Sequence, residues 1–184
     1  MPVTTELIVD ESSIAMDIHS LMHQFAQFGG ADVGQGPRHP TAPVPALAKE
    51  IEEFFDLYPF LRNDHWYVDF IECYAGAGIS REPQLMVDIY GFISGGTHIV
   101  KEDGIRLDER GYFAFCTTYL DDLGEVGFAF DATGEQTSGI YRWIVGEHLQ
   151  GDYSWYCPTF LEWLERLIKY DGRLDEQSSV GLGY

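Results

Sequence analysis

The stretch GYFAFCTTYLDDLGEVGFAFDATG, residues 111 to 134, carries the triplet Phe-Ala-Phe twice, with an acidic, glycine-bearing segment between the copies. The residues flanking the triplets do not match, so the pair is not a duplicated unit. In an extended chain successive side chains point to opposite faces, so each triplet sends two Phe one way and one Ala the other. The pattern predicts two strands of one sheet, with Phe113, Phe115, Phe128 and Phe130 sharing the core and small residues lining the opposite face. The segment between them is too long for a two-residue hairpin, which makes YLDDLGEV a protruding loop.

The same period of two runs through LMVDIYGFIS, where Leu85, Val87 and Ile89 alternate with Met86, Asp88 and Tyr90, and short aromatic or β-branched runs recur in SGIYRWIV. A meander of antiparallel strands follows from these runs. Upstream the period is helical. Ile14, Ile18, Leu21, Phe25 and Phe28 recur at steps of three or four, after Ser12 or Ser13 as N-cap and before Gly29-Gly30 as stop. The aperiodic, Gly/Pro-rich ADVGQGPRHPTAPVP then reads as a connector. PALAKEIEEFFDLYPFL places Leu47, Ile51, Phe54, Phe55 and Tyr58 on one side and Lys49, Glu50, Glu52, Glu53 and Asp56 on the other. A third helix, HWYVDFIECYAG, has Asn63 or Asp64 as cap and Tyr67, Phe70, Ile71 and Tyr74 as its apolar stripe, with Gly76 or Gly78 at its end. CPTFLEWLERLIKYDG closes the chain with Phe160, Leu161, Leu164, Leu167 and Ile168 facing inward. The expected architecture is therefore α+β: N-terminal helices, a central, largely antiparallel sheet and a C-terminal helix packed on it. Residues 1–45 are expected as a helical extension and connector, 46–172 as the main domain and 173–184 as a polar, frayed tail.

Charge narrows the function classes. The chain has 30 acidic residues against 11 Lys plus Arg, a net charge of −19, so its surface repels phosphate backbones and anionic lipid. Nucleic acid and membranes are thereby disfavoured as partners, and a basic protein is favoured. Cys73, Cys116 and Cys157 are odd in number and show no Cys-x-x-Cys spacing, as expected of buried free thiols in a reducing compartment. MPVTTELIVDESS lacks the basic start and apolar run of a signal peptide, which predicts a cytosolic protein.

Reactive constellations are sparse in the sequence. His19 and His23 are four apart on a helix, but no third ligand has suitable spacing, so no metal is expected. Any pairing of the cysteines with histidines as nucleophile and base needs spatial adjacency, and Cys73 and Cys116 read instead as small core residues. Gly76-Ala77-Gly78 has no following Lys-Ser/Thr and serves as a helix stop rather than a phosphate loop. Asp121, Asp122, Glu125, Asp131 and Glu135 cluster within fifteen positions without the order of a calcium loop, and read as a solvated turn that can also face a partner. Tyr119 adjoins these acids, and GDYSWYCP places Tyr153, Trp155 and Tyr156 in a loop before the last helix. For Trp155 and Tyr156 two readings stand: a lid on the core, or exposed anchors beside carboxylates. The candidate partner-binding set is Tyr119, Asp121, Asp122, Glu125, Glu135, Trp155 and Tyr156, with no catalytic residue and no cofactor.

This order of elements resembles the SUKH superfamily of bacterial toxin-immunity proteins and fungal cell-wall-synthesis regulators. ALAKEIEEFFDLY is similar to the opening helix of that fold, and VDFIECYAGAG to its second helix and glycine turn. The twin-triplet region through SGIYRW resembles its strands, and CPTFLEWLERLI its closing helix. The likeness spans roughly residues 46 to 170. Tyr74-Ala75-Gly76 stands where members often show Asn-Gly-Gly, and LYPFLRNDHW replaces the usual Leu-Pro before the second helix. The resemblance implies a binding protein without catalysis. An immunity protein occluding a basic toxin, such as a nuclease, is the first expectation. A regulatory or scaffolding module docking through the first helix is the alternative, and an enzyme using paired carboxylates comes third.

Overall fold

The structure, a computed structural model, describes residues 17–39, 45–81, 85–92, 107–120, 124–146, 149–150 and 153–172. The twin triplets do lie on adjacent antiparallel strands, β4 (Tyr112–Leu120) and β5 (Gly124–Asp131), with Phe113 opposite Phe130 and Ala114 opposite Ala129. Beyond Ala114 the register shifts at a β-bulge, and Cys116 rather than Phe115 stands opposite Phe128. The extra residue lets Phe115 and Cys116 both face the core, where each is 0% exposed. Phe113, Phe128 and Phe130 are buried beside them.

The expected loop YLDDLGEV is largely ladder instead. Pairing continues through Tyr119 opposite Glu125 to Leu120 opposite Gly124, leaving residues 121–123 between the strands, outside the described residues. Thr117, Thr118, Tyr119 and Val126 are strand formers, so the hairpin extends to the acidic segment, and Gly124 takes the positive φ (74°) that a tight return requires.

β4 and β5 lie within an eight-stranded sheet in which every pairing is antiparallel. The other strands are β1 (Ala31–Val33), β2 (Ala77–Arg81), β3 (Leu85–Ile89), β6 (Ile140–Gly146), β7 (Leu149–Gln150) and β8 (Ser154–Cys157). They pair in sequence order from β1 to β7, while β8 takes the other half of the same β6 edge.

Among the described residues, four helices pack on one face: α1 (Ile18–Phe25), α2 (Pro45–Leu57), α3 (His65–Tyr74) and α4 (Phe160–Lys169), with a 3-10 turn over Pro59–Asn63. Phe113 meets the rings of Phe54, Tyr58 and Phe60, and Phe115 meets Tyr67, Phe160 and Trp163. The expected stripes of α2 and α3 are buried throughout. On α4 the inward residues are Phe160, Trp163, Leu164 and Leu167, with Leu161 and Ile168 at the flanks, so Trp163 belongs to the core. Asp17 rather than Ser12 or Ser13 caps α1, its carboxylate accepting from the Ser20 N–H, while Asp64 accepts from Trp66 and Tyr67 and Thr159 from Glu162.

The described part of the N-terminal segment, residues 17–39, packs with the body. Ile18, Leu21, Met22 and Phe25 join the same hydrophobic core as α3 and α4, and Ala31–Val33 of the expected connector forms the edge strand beside β2. A three-residue strand has no readable period of its own; its pairing with Ala77, Gly78 and Ile79 creates it. The described residues thus form one α+β unit. Among them, no helix is long and apolar enough to cross a membrane.

Candidate functional site

All four helices lie against the Phe face of the sheet, so the other face is bare of helices among the described residues. Cross-strand partners share a face, and the register therefore maps that surface. Its rows run Met86, Tyr119, Glu125, then Thr117, Gly127, Trp143, then Ala114, Ala129, Tyr141, Trp155, with Tyr112 opposite Asp131 at the end. Small residues occupy the middle and rings the surround.

Those rings form a ladder. Tyr153 stacks on Tyr112 with centroids 3.7 Å apart and planes at 13°. Tyr112 meets Tyr141 edge-on at 5.3 Å, and Trp143 lies 5.2 Å from Tyr153. Trp143 also covers Gly127 so closely that any Cβ there would collide with its indole, which explains why this strand position is glycine. Asp108 fixes the end of the ladder. Its carboxylate accepts from the backbone N–H groups of Arg110 (2.9 Å) and Tyr112 (2.8 Å) and from the Tyr153 hydroxyl (2.8 Å). Arg110 donates from Nε to the same carboxylate and places its guanidinium 4.4 Å from the Tyr153 ring centroid.

Burial disfavours the charged form of Asp108, but its hydrogen bonds from Tyr112, Tyr153 and Arg110 outweigh this and hold its pKa below the ordinary 3.8. The Tyr153 hydroxyl is pushed upward, by burial first and then by the neighbouring carboxylate. A carboxyl with a lowered folded-state pKa contributes stability that is present above its unfolded value and is lost as pH falls through the folded value. Asp108→Asn is therefore expected to cost about 1–2 kcal/mol near neutral pH, with the difference from wild type shrinking below pH 3.8. Urea unfolding at a series of pH values from neutral to acid measures it; a pH-independent difference would remove the carboxylate from this account.

The candidate residues divide between regions. Tyr119 (42% exposed) and Glu125 stand directly opposite each other on the helix-free face, and Trp155 (47% exposed) shares that face as the partner of Tyr141. Trp155 is on a strand rather than in the expected loop, and its indole donates to the Ser138 carbonyl. Tyr156 turns the other way by ordinary strand alternation, packing on Phe128 under Arg166 on the helix side, and the register shift between Ile140 and Tyr141 lets Cys157 face inward beside it. The lid reading thus suits Tyr156 and the exposed reading suits Trp155. Glu135 is exposed in the β5–β6 turn, which Asp131 organises by accepting from Thr133 and Gln136. Asp121 and Asp122 lie outside the described residues. Tyr112, Tyr141, Trp143 and Tyr153 are additional members of the face. Strand parity alone signals the first three, which alternate with the buried Phe113 and Ile140 or stand two apart.

A second concavity, of about 280 Å³, opens where the starts of α3 and α4 meet the β5–β6 turn, lined by Asp64, His65, Phe130, Asp131, Gln136 and Thr159 among others. Asp64 is already committed there: Oδ1 accepts from Trp66 and Tyr67, and Oδ2 accepts from the Phe160 N–H at 2.6 Å.

Nucleophilic chemistry finds poor footing among the cysteines. Burial raises all three thiols, Cys157 to about 12, so the thiolate is disfavoured. His19 Nδ1 lies 2.8 Å from the Tyr74 hydroxyl and His23 Nε2 lies 3.2 Å from Gln27, and no group of three metal-ligating side chains occurs among the described residues. No protein-family model matches the sequence, and no curated protein or solved structure matches it.

Proposed function

We propose that this chain is a non-catalytic, cytoplasmic, acidic binding protein that neutralises a basic protein toxin by occluding it, in the manner implied by the resemblance to SUKH immunity proteins. One observation carries the reading: 30 carboxylate residues against 11 basic ones, on a chain whose sheet leaves an aromatic face bare of helices among the described residues. The charge draws a cationic protein in and repels nucleic acid, so carboxylates take the place of phosphates over a nuclease groove. The alternative, a regulatory or scaffolding module, drew on an apolar face of the first helix. Ile18, Leu21 and Phe25 of that face are buried against this chain's own core, which removes that support.

The test is co-expression with a basic toxin encoded beside the gene. The expected results are rescued growth and a complex whose association rate falls about tenfold or more between low and high salt. Equal killing with and without this chain, or no complex at low salt, would refute the proposal.

A further inference from the structure

We infer that the partner docks on the helix-free sheet face across β4, β5, β6 and β8, seating arginine or lysine side chains against Tyr119, Trp143 and Trp155. This rests on the binding-protein reading above and gives it a surface. An antiparallel sheet face turned to water is ordinarily polar, yet this one presents half-exposed Tyr and Trp in successive rows. Tyr, Trp and Arg are the residues that carry most interface energy. Stacking and hydrogen bonding already hold Tyr112, Tyr153 and Trp143 in place, so little side-chain freedom remains to be lost on binding. The ladder also shows the chemistry it accepts, because Arg110 rests a guanidinium on the Tyr153 ring.

Charge selects the occupant. Glu125 and Asp131 lie in the same rows as the rings, and a second copy of the chain would bring another net −19 against them. A cationic protein surface fits both features. The rows span about 20 by 20 Å from strand spacing and rise, which suits the centre of an interface, with the turn carrying Glu135 at its rim. The acidic side of α2, with Glu50, Glu52, Glu53 and Asp56, offers charge without rings and would steer a partner without anchoring it.

The probe is a short arginine-serine repeat peptide titrated at low salt into the isotope-labelled full chain, with a glutamate-serine peptide as control. Amide and indole NMR shifts are expected at Tyr119, Gly127, Trp143 and Trp155. Combining Tyr119→Ser with Trp155→Ser, both exposed positions that spare the core, is expected to weaken binding about tenfold. Glu52→Gln with Glu53→Gln should weaken it no more than about twofold. Shifts centred on α2 or on the concavity at Asp64 would overturn the surface and leave the basic-partner reading standing. Concentration-dependent shifts of the same face without peptide would assign it to a second copy and overturn the inference. Absence of binding by the arginine peptide would sink the basic-partner reading together with the surface.

Discussion

Asp64→Ala is expected to cost about 2–4 kcal/mol of folding stability, from loss of helix caps and from buried N–H groups left without partners. One carboxylate here serves two helices. Oδ1 closes the start of α3 at Trp66 (3.1 Å) and Tyr67 (3.2 Å), while Oδ2 takes the Phe160 N–H at the start of α4, 96 residues away. Thr159 caps α4 independently through Glu162, so α4 persists when Asp64 is removed, but its attachment to α3 loosens. Asp64→Asn separates the two roles: its carbonyl can still accept from α3, whereas its amide would meet the Phe160 N–H donor to donor. About half the alanine cost is expected. Denaturant unfolding of both variants measures this, and an Asn variant as unstable as the Ala variant would refute the division of roles.

Asp64 also has a pH signature opposite to that of Asp108. Burial, the largest influence, pushes its pKa above the ordinary 3.8 against the pull of three backbone donors. The folded chain then holds this proton to higher pH than the unfolded chain. The resulting stability is fully present below 3.8 and is lost as pH rises through the raised folded value.

Asp64 marks how far the sequence reaches. As a short acceptor before an apolar stripe it is legible as a cap, but its bond to Phe160 depends on packing between distant segments. The helices themselves were legible because Leu47, Ile51, Phe54 and Phe55, or Tyr67, Phe70 and Ile71, repeat over several turns. β1, β2 and β8 were not, since β1 is too short to define a period, β2 and β8 do not alternate apolar with polar residues, and Gly76 and Gly78 at the start of β2 suggest a stop rather than a strand. In the candidate site, Tyr119, Glu125 and Trp155 share a face, but register decides it. Tyr156, adjacent to Trp155 and chemically similar, lies on the opposite side because the two are consecutive residues of a strand, which the expected loop did not reveal.

Phe115→Ala is expected to have the larger effect, about 3–5 kcal/mol, as for other buried Phe truncations. Phe115 is 0% exposed and its ring meets Tyr67, Phe128, Phe130, Phe160 and Trp163, so its removal opens a cavity between the sheet and two helices. Its backbone position matters as much as its ring. Uninterrupted alternation from Phe113 would send Thr117 and Tyr119 inward with Phe115. The bulge at Phe115 reverses that parity, so Thr118 is buried at 1%, donating its hydroxyl to the Val126 carbonyl, while Tyr119 turns outward. The core therefore sets the binding face. Phe115→Ala should lower the unfolding midpoint while keeping the bulge, leaving Tyr119 exposed in the folded fraction. Deleting Phe115 should instead remove the bulge and leave a regular ladder, in which Cys116 follows Ala114, Thr118 keeps its partner Val126 and Tyr119 still points outward, at the cost of the Phe115 ring. Denaturant unfolding together with chemical labelling of Tyr119 reads both outcomes; a deletion variant whose Tyr119 is no longer labelled would show that pairing with β5 does not fix this surface.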